Sequence, residues 1–319
     1  MTEAVSAGTT LPITLPRHPM TFARLLPAAL LAAFLSACAA PPAPPATSAS
    51  APAPVAAAPP PAPKMIEESW LMPGGPGEDG KPAMLKTRMY FPPGNGPFPV
   101  AVLNHGSPGE PARQFMQPPN FRHVAEWFVA RGYAVAVPMR RGYGDSGAWP
   151  ENPGPCNNPD FIAAGKAAAQ DILGVVGRLR LLRIAKPDRI LLVGQSAGGF
   201  GVVAATATNP AGVFGAINIA GGRLGGPENE RCAPDRLVAA VETFGKTAKV
   251  PTLWLYSEND SYFDPDLSRA MVSAYGGAGG RAVYILLPPF KDDGHTMFAD
   301  PDGLAYWVRY AASFVEALE

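Results

Sequence analysis

Short apolar runs separated by helix-spaced segments organise the chain from residue 84 onward. Residues 84–91 read as a strand, stopped by Pro92-Pro93-Gly94. Residues 100–103, 133–137, 190–193, 216–219, 253–256 and 283–287 are compact and aliphatic, as strands buried on both faces are. Between them, residues 121–130, 161–184, 202–208, 236–244, 266–275 and 304–318 carry apolar positions at helical spacing. Strands alternating with helices predict an α/β domain with a mostly parallel sheet covered on both faces. Ligands in such sheets bind outside the carboxyl ends of the strands.

The first sixty-odd residues read differently. Arg17 and Arg24 precede an apolar run from residue 25 to 35, and Leu35-Ser36-Ala37-Cys38 follows. A positive start, a short apolar stretch and small residues predict a signal peptide over residues 1–37, too short to span a bilayer. Met20 reads as a better start for it than Met1. Leu-Ser-Ala-Cys resembles a bacterial lipobox, which implies lipidation of Cys38 and a membrane anchor there. By resemblance to Gram-negative sorting rules, Ala39 after the cysteine implies the outer membrane, facing the periplasm or the surface. Residues 39–63 are almost wholly Pro, Ala, Ser and Thr. With Cys38 they read as an extended spacer, leaving residues 64–319 as the folded domain.

Composition narrows the chemistry. The chain has 26 basic and 26 acidic residues, so nothing in the charge suggests a nucleic-acid partner. The Gly221-Gly222 and Gly225-Gly226 pairs lack phosphate-loop or dinucleotide spacing. The four histidines form no ligand spacing, so no metal and no other cofactor is expected. With Cys38 assigned to the lipobox, Cys156 and Cys232 remain, an even pair that predicts a disulfide in an exported domain. Both lie in loops expected at the carboxyl edge of the sheet.

The candidate chemistry centres on Gly194-Gln195-Ser196-Ala197-Gly198, directly after Arg189-Ile190-Leu191-Leu192-Val193. With 34 glycines in 319 residues the five-residue pattern alone says little. Its strand–turn–helix setting makes it a nucleophile elbow with Ser196 as nucleophile. A serine needs a base, and the base an orienting acid. His295, after the last strand, is the expected base. Asp260 is the expected acid; Glu258 stands closer to its strand as a replacement. Asp264 precedes Pro265 and reads as a helix start. The Ala197 N–H and the Ser107 N–H, in Asn104-His105-Gly106-Ser107, are the expected oxyanion donors. His105 is expected to brace its loop and is also a pocket candidate. Trp149, Phe161, Tyr262 and Phe263 are candidate pocket walls. His123 reads as a packing residue.

Together, Asn104-His105-Gly106, Arg141-Gly142-Tyr143-Gly144-Asp145-Ser146-Gly147, the Ser196 turn, the 257–260 turn and Gly294-His295 resemble α/β-hydrolases of the dienelactone hydrolase-like and carboxylesterase-like group. The resemblance spans about residues 84–318. It implies an α/β-hydrolase fold of about eight strands, and no large lid fits between residues 220 and 250. Dienelactone hydrolases proper carry a cysteine nucleophile, so Ser196 implies an esterase-like relative acting on small or medium esters through an acyl-enzyme. The Arg-Gly-Tyr-Gly loop also occurs in related peptidases, which keeps a dipeptidyl or prolyl-type serine peptidase as the enzymatic alternative. A surface-anchored binding protein without turnover is the non-enzymatic one.

Overall fold

The computed structural model describes residues 65–225 and 231–319. The readings of the signal peptide, Cys38 and the spacer lie outside the described residues.

Eight strands form one sheet in the order β1-β2-β4-β3-β5-β6-β7-β8. They are β1 (Ile66–Pro76), β2 (Pro82–Phe91), β3 (Phe98–Asn104), β4 (Ala134–Pro138), β5 (Ala185–Gln195), β6 (Val213–Ile219), β7 (Thr252–Ser257) and β8 (Ala282–Leu287). The pairs β1–β2 and β2–β4 are antiparallel; all pairs from β4 to β8 are parallel. The helices are α1 (Arg122–Val129), α2 (Phe161–Leu179), α3 (Ala197–Thr206), α4 (Pro234–Gly245), α5 (Pro265–Gly277) and α6 (Leu304–Glu316).

Alternation along the strands divides the core in two. Val100 and Val102 of β3 pack with Ile190 and Leu192 of β5 against α2 to α5. Ala101, Leu103, Leu191 and Val193 point the other way, into a layer built with Phe128 of α1 and Trp307 of α6. Every residue of β4 is buried. A strand covered on both faces gains nothing from a polar side, which explains the continuous apolar runs.

The sequence misses β1. Its first half is exposed, it carries Pro73 and Pro76, and it lies at the sheet edge, where proline and polar residues are tolerated. Its pairing with β2, Ile66 opposite Phe91 and Pro73 opposite Met84, supplies the eighth strand. Helix α2 stops at Leu179 rather than 184, because residues 180–184 turn back into an early start of β5. Helix α3 begins at Ala197, directly behind Ser196. The segment between β6 and β7 holds one helix among the described residues, α4.

Cys156 and Cys232 form a disulfide with Cα atoms 4.8 Å apart across a sequence separation of 76 residues. It ties the β4–α2 connection to the β6–α4 connection. Closing a loop of that length removes enough unfolded-chain entropy for about 4 kcal/mol. Cys232→Ser is therefore expected to lower the urea-unfolding free energy by roughly that amount, and a reduced wild type to match it. An unchanged midpoint in both would refute a stabilising bridge.

Candidate active site

The turn between β5 and α3 holds Ser196 at φ 54° and ψ −124°, a conformation side chains rarely adopt. Its N–H donates to the Ile219 carbonyl at 3.0 Å, and its carbonyl accepts from Phe200 and Gly222. A side chain at Gly194 would strike the Gly198 backbone, and one at Gly198 would strike the Asn104 backbone. The two glycines let strand, turn and the β3 loop meet, which lifts the hydroxyl above the sheet.

The connection after β7 carries Asp260, and the loop after β8 carries His295. His295 Nε2 lies 3.0 Å from Ser196 Oγ, and its Nδ1 lies 3.1 and 3.2 Å from the two Asp260 carboxylate oxygens. Asp260 is buried, and its Oδ1 also accepts the Tyr262 and Phe263 N–H groups at 2.9 and 3.0 Å. Those donors fix the carboxylate facing the imidazole. Glu258 is exposed and its amide feeds β8, so it does not meet His295. Asp264 caps α5, accepting from Asp266 and Leu267.

A second carboxylate, without a role in the sequence reading, stitches the two loops together. Asp293 Oδ1 accepts the His295 N–H at 2.9 Å and the Ser261 N–H at 3.1 Å; its Oδ2 accepts the Ser261 hydroxyl at 2.7 Å. Burial opposes its ionisation, but these donors hold its pKa below the ordinary value. Asn259 extends the stitching to the Phe290 and Lys291 carbonyls. Gln195 Nε2 holds the His295 carbonyl at 3.0 Å. The Tyr262 ring stacks on the imidazole at 4.2 Å.

Ser196 opens into a cavity of about 360 Å³ whose lining includes Ser107, Ala197, Trp149, Arg223, Tyr262 and Phe263. Ala197 and Ser107 both border it, and their amides have no hydrogen-bond acceptor among the described residues. Gly106 brings the Ser107 loop against Ser196: a side-chain carbon there would lie 3.1 Å from Ser196 Cβ. Two free amides beside a serine hydroxyl are what a developing oxyanion requires.

Two pocket expectations need correction. His105 does not line the cavity. It is 1% exposed, and its Nδ1 donates to the Gly106 carbonyl at 2.7 Å while Nε2 accepts the Arg140 N–H at 3.1 Å. Its loop has to run inward to place Ser107 near Ser196, and this carries the ring beneath the site. Phe161 starts α2 and is buried against Phe200, because α2 packs across the sheet rather than over the pocket. His123 bonds the Phe298 carbonyl, a packing role.

Burial, then the Arg140 charge, push the His105 pKa down to about 3 from an ordinary 6.5. The unfolded chain therefore takes up a proton below pH 6.5 that the folded protein refuses until pH 3. Stability is full above the unfolded value and is lost as pH falls through this window. Urea unfolding near pH 5 should give about 2 kcal/mol less than at neutral pH, and replacing His105 with Gln should flatten that slope. A slope equal in both proteins would contradict the assignment.

Beneath the cavity lies a charge cluster the sequence did not reveal. Glu151 is fully buried; Arg140 Nε donates to its Oε1 at 2.6 Å, Tyr143 donates to its Oε2 at 2.9 Å, and Arg223 Nη2 donates to the same Oε2. Burial opposes the Glu151 charge, but the two guanidiniums win and bring its pKa down to about 2. Arg140 Nη1 also donates to the His105 carbonyl at 2.8 Å, so the cluster braces the Ser107 loop. Arg141 turns away to Asp171 of α2, with Nε–Oδ1 at 2.6 Å. Glu151 sits in a Pro- and Asn-rich loop with no periodicity, so nothing local marked it.

The sheet order, the turn between β5 and α3, and the placing of Asp260 after β7 and His295 after β8 decide the architecture. The fold is that of the α/β-hydrolases. The prolyl oligopeptidase family matches residues 119–222 of the chain. A Klebsiella pneumoniae protein assigned as a dienelactone hydrolase superposes with a TM-score of 0.51 at 17% identity, over 79% of this chain and 99% of that one. An acetyl xylan esterase from Paenibacillus sp. R4 gives 0.56 at 18% identity, over 80% and 84%. Porphyromonas gingivalis dipeptidyl peptidase 4 gives 0.54 at 14% identity, but this chain covers 79% of itself and only 35% of that enzyme. At these identities the likeness is one of fold. No curated protein matches the sequence. Among the described residues, no three His, Cys, Asp or Glu side chains gather as a metal site requires.

Proposed function

We propose that the protein is a serine hydrolase that cleaves carboxylic esters of small or medium size through an acyl-enzyme. The observation that carries this is the hydrogen-bonded line Ser196–His295–Asp260 opening into a cavity with two free amides. In this reading His295 Nε2 takes the Ser196 proton as Oγ attacks the ester carbon. Asp260 holds the Nδ1–H and stabilises the imidazolium. The Ala197 and Ser107 amides receive the negative oxygen. Collapse expels the alcohol, which takes its proton from His295. Water, activated by the same imidazole, then releases the acid.

A cavity of about 360 Å³ has room for a short acyl chain and a small alcohol rather than a long lipid. The match to the prolyl oligopeptidase family over residues 119–222 favours a second reading, a peptidase on the same fold. Short p-nitrophenyl esters and aminoacyl or prolyl p-nitroanilides, given to the same preparation, separate the two. Ester turnover at least about 100-fold above anilide turnover in kcat/KM supports the esterase; the reverse order establishes the peptidase. No turnover of either, with no fluorophosphonate labelling, leaves a binding protein.

We also propose that the domain works outside the cytoplasm, held to a membrane by lipid at Cys38. The Leu35-to-Cys38 motif supports this, and a disulfide in the domain fits an oxidising compartment.

A further inference from the structure

Resting on the esterase reading, we propose that the cavity selects esters that carry a carboxylate elsewhere on the same small molecule, with Arg223 as the anion-binding residue. The argument begins with charge. Arg140 and Arg223 share one carboxylate, Glu151, and all three are buried: 0%, 4% and 0% exposed. Arginine does not give up its proton in proteins. Among the described residues, ionised Glu151 therefore cancels one of the two charges, and one positive charge remains in a place water barely reaches. Arg113, the other cation on the cavity wall, forms a one-to-one pair with Glu110 and contributes no excess.

Geometry directs that excess into the cavity. Arg140 faces inward, to Glu151 and the His105 carbonyl. Arg223 lines the cavity that Ser196, Ala197 and Ser107 also line. Its Nη2 is taken by Glu151. Its Nε and Nη1 have no partner among the described residues, and Nε is buried without one. A guanidinium nine-tenths buried with unused donors at a cavity wall calls for an oxygen anion. Trp149, Leu224 and Phe263 border the same cavity and suit a short methylene chain between ester and carboxylate. A neutral ester of the same length would leave the Arg223 charge desolvated and unanswered, which disfavours its binding.

The test compares substrates matched in length. Mono-p-nitrophenyl adipate is set against p-nitrophenyl hexanoate, placing the carboxylate on the acyl side. 4-Carboxyphenyl hexanoate against phenyl hexanoate places it on the alcohol side. The expected result is a preference of about 10- to 100-fold in kcat/KM for the anionic member of one pair, the size of one charge-assisted bond. The pair that shows it identifies the side. In Arg223→Gln that ratio should fall toward one, and Arg223→Lys should restore part of it. Added salt should weaken it in the wild type, which decides the matter even if an Arg223 variant fails to fold. Equal or neutral-preferring turnover in both pairs overturns the proposal while leaving a serine esterase. Loss of all turnover and of fluorophosphonate labelling overturns the esterase reading as well.

Discussion

Ser196→Ala is expected to abolish the proposed hydrolysis, with kcat falling by about five to six orders of magnitude while the melting temperature stays within about 2 °C. The size of the loss follows from the arrangement. His295 Nε2 accepts from one hydroxyl among the described residues, that of Ser196 at 3.0 Å. In the proposed mechanism, the cavity and the Ala197 and Ser107 amides would still bind and polarise an ester once Oγ is gone. A residual rate of about 10³ over water is what such remnants supply. Stability is spared because the hydroxyl makes no other hydrogen bond among the described residues, whereas the turn is held by the Ser196 backbone to Ile219, Phe200 and Gly222. Steady-state assays with active-site titration check the first half, and thermal unfolding checks the second. Activity within tenfold of wild type would remove Ser196 from the mechanism.

Glu151→Ala is expected to be the most destabilising single change near the site, by about 3–5 kcal/mol, lowering the melting temperature by about 10 °C. It leaves Arg140 and Arg223 buried with no counter-charge between them, and removes the acceptor of the Tyr143 hydroxyl. Arg140 also holds the His105 carbonyl, so the Ser107 loop loosens and kcat falls with stability. The double variant Glu151→Ala, Arg223→Met should recover part of the loss, since only Arg140 then stays unpaired. Denaturant melts of the singles and the double measure this. A single variant as stable as wild type would show that the cluster contributes nothing net.

Much of the site was legible because its signals are local. A turn tight enough to expose Ser196 needs glycine at 194 and 198, and those glycines stand in the chain beside an aliphatic strand. His295 and Asp260 stand after the strands that bring them to the same edge, so chain order alone paired them. Glu258 competed with Asp260 only because sequence distance does not say which carboxylate turns inward; the amides of Tyr262 and Phe263 do. His105 looked like a wall residue because it neighbours Ser107, yet the two side chains of one sharp loop face opposite ways. β1 escaped because an edge strand needs no apolar alternation.

By itself the sequence determined what periodicity and strict steric need can write: two-faced burial of the parallel strands, the helices between them, the tight turn at Ser196, the chain order of Ser196, Asp260 and His295, and the pairing of two cysteines. Only the tertiary structure decided the long-range partners. Glu151 meets Arg140 and Arg223 across separations of 11 and 72 residues, and Asp293 meets Ser261 across 32. The physical reason is that a buried charge is specified by which distant groups surround it, and no residue near it in the chain has to announce them.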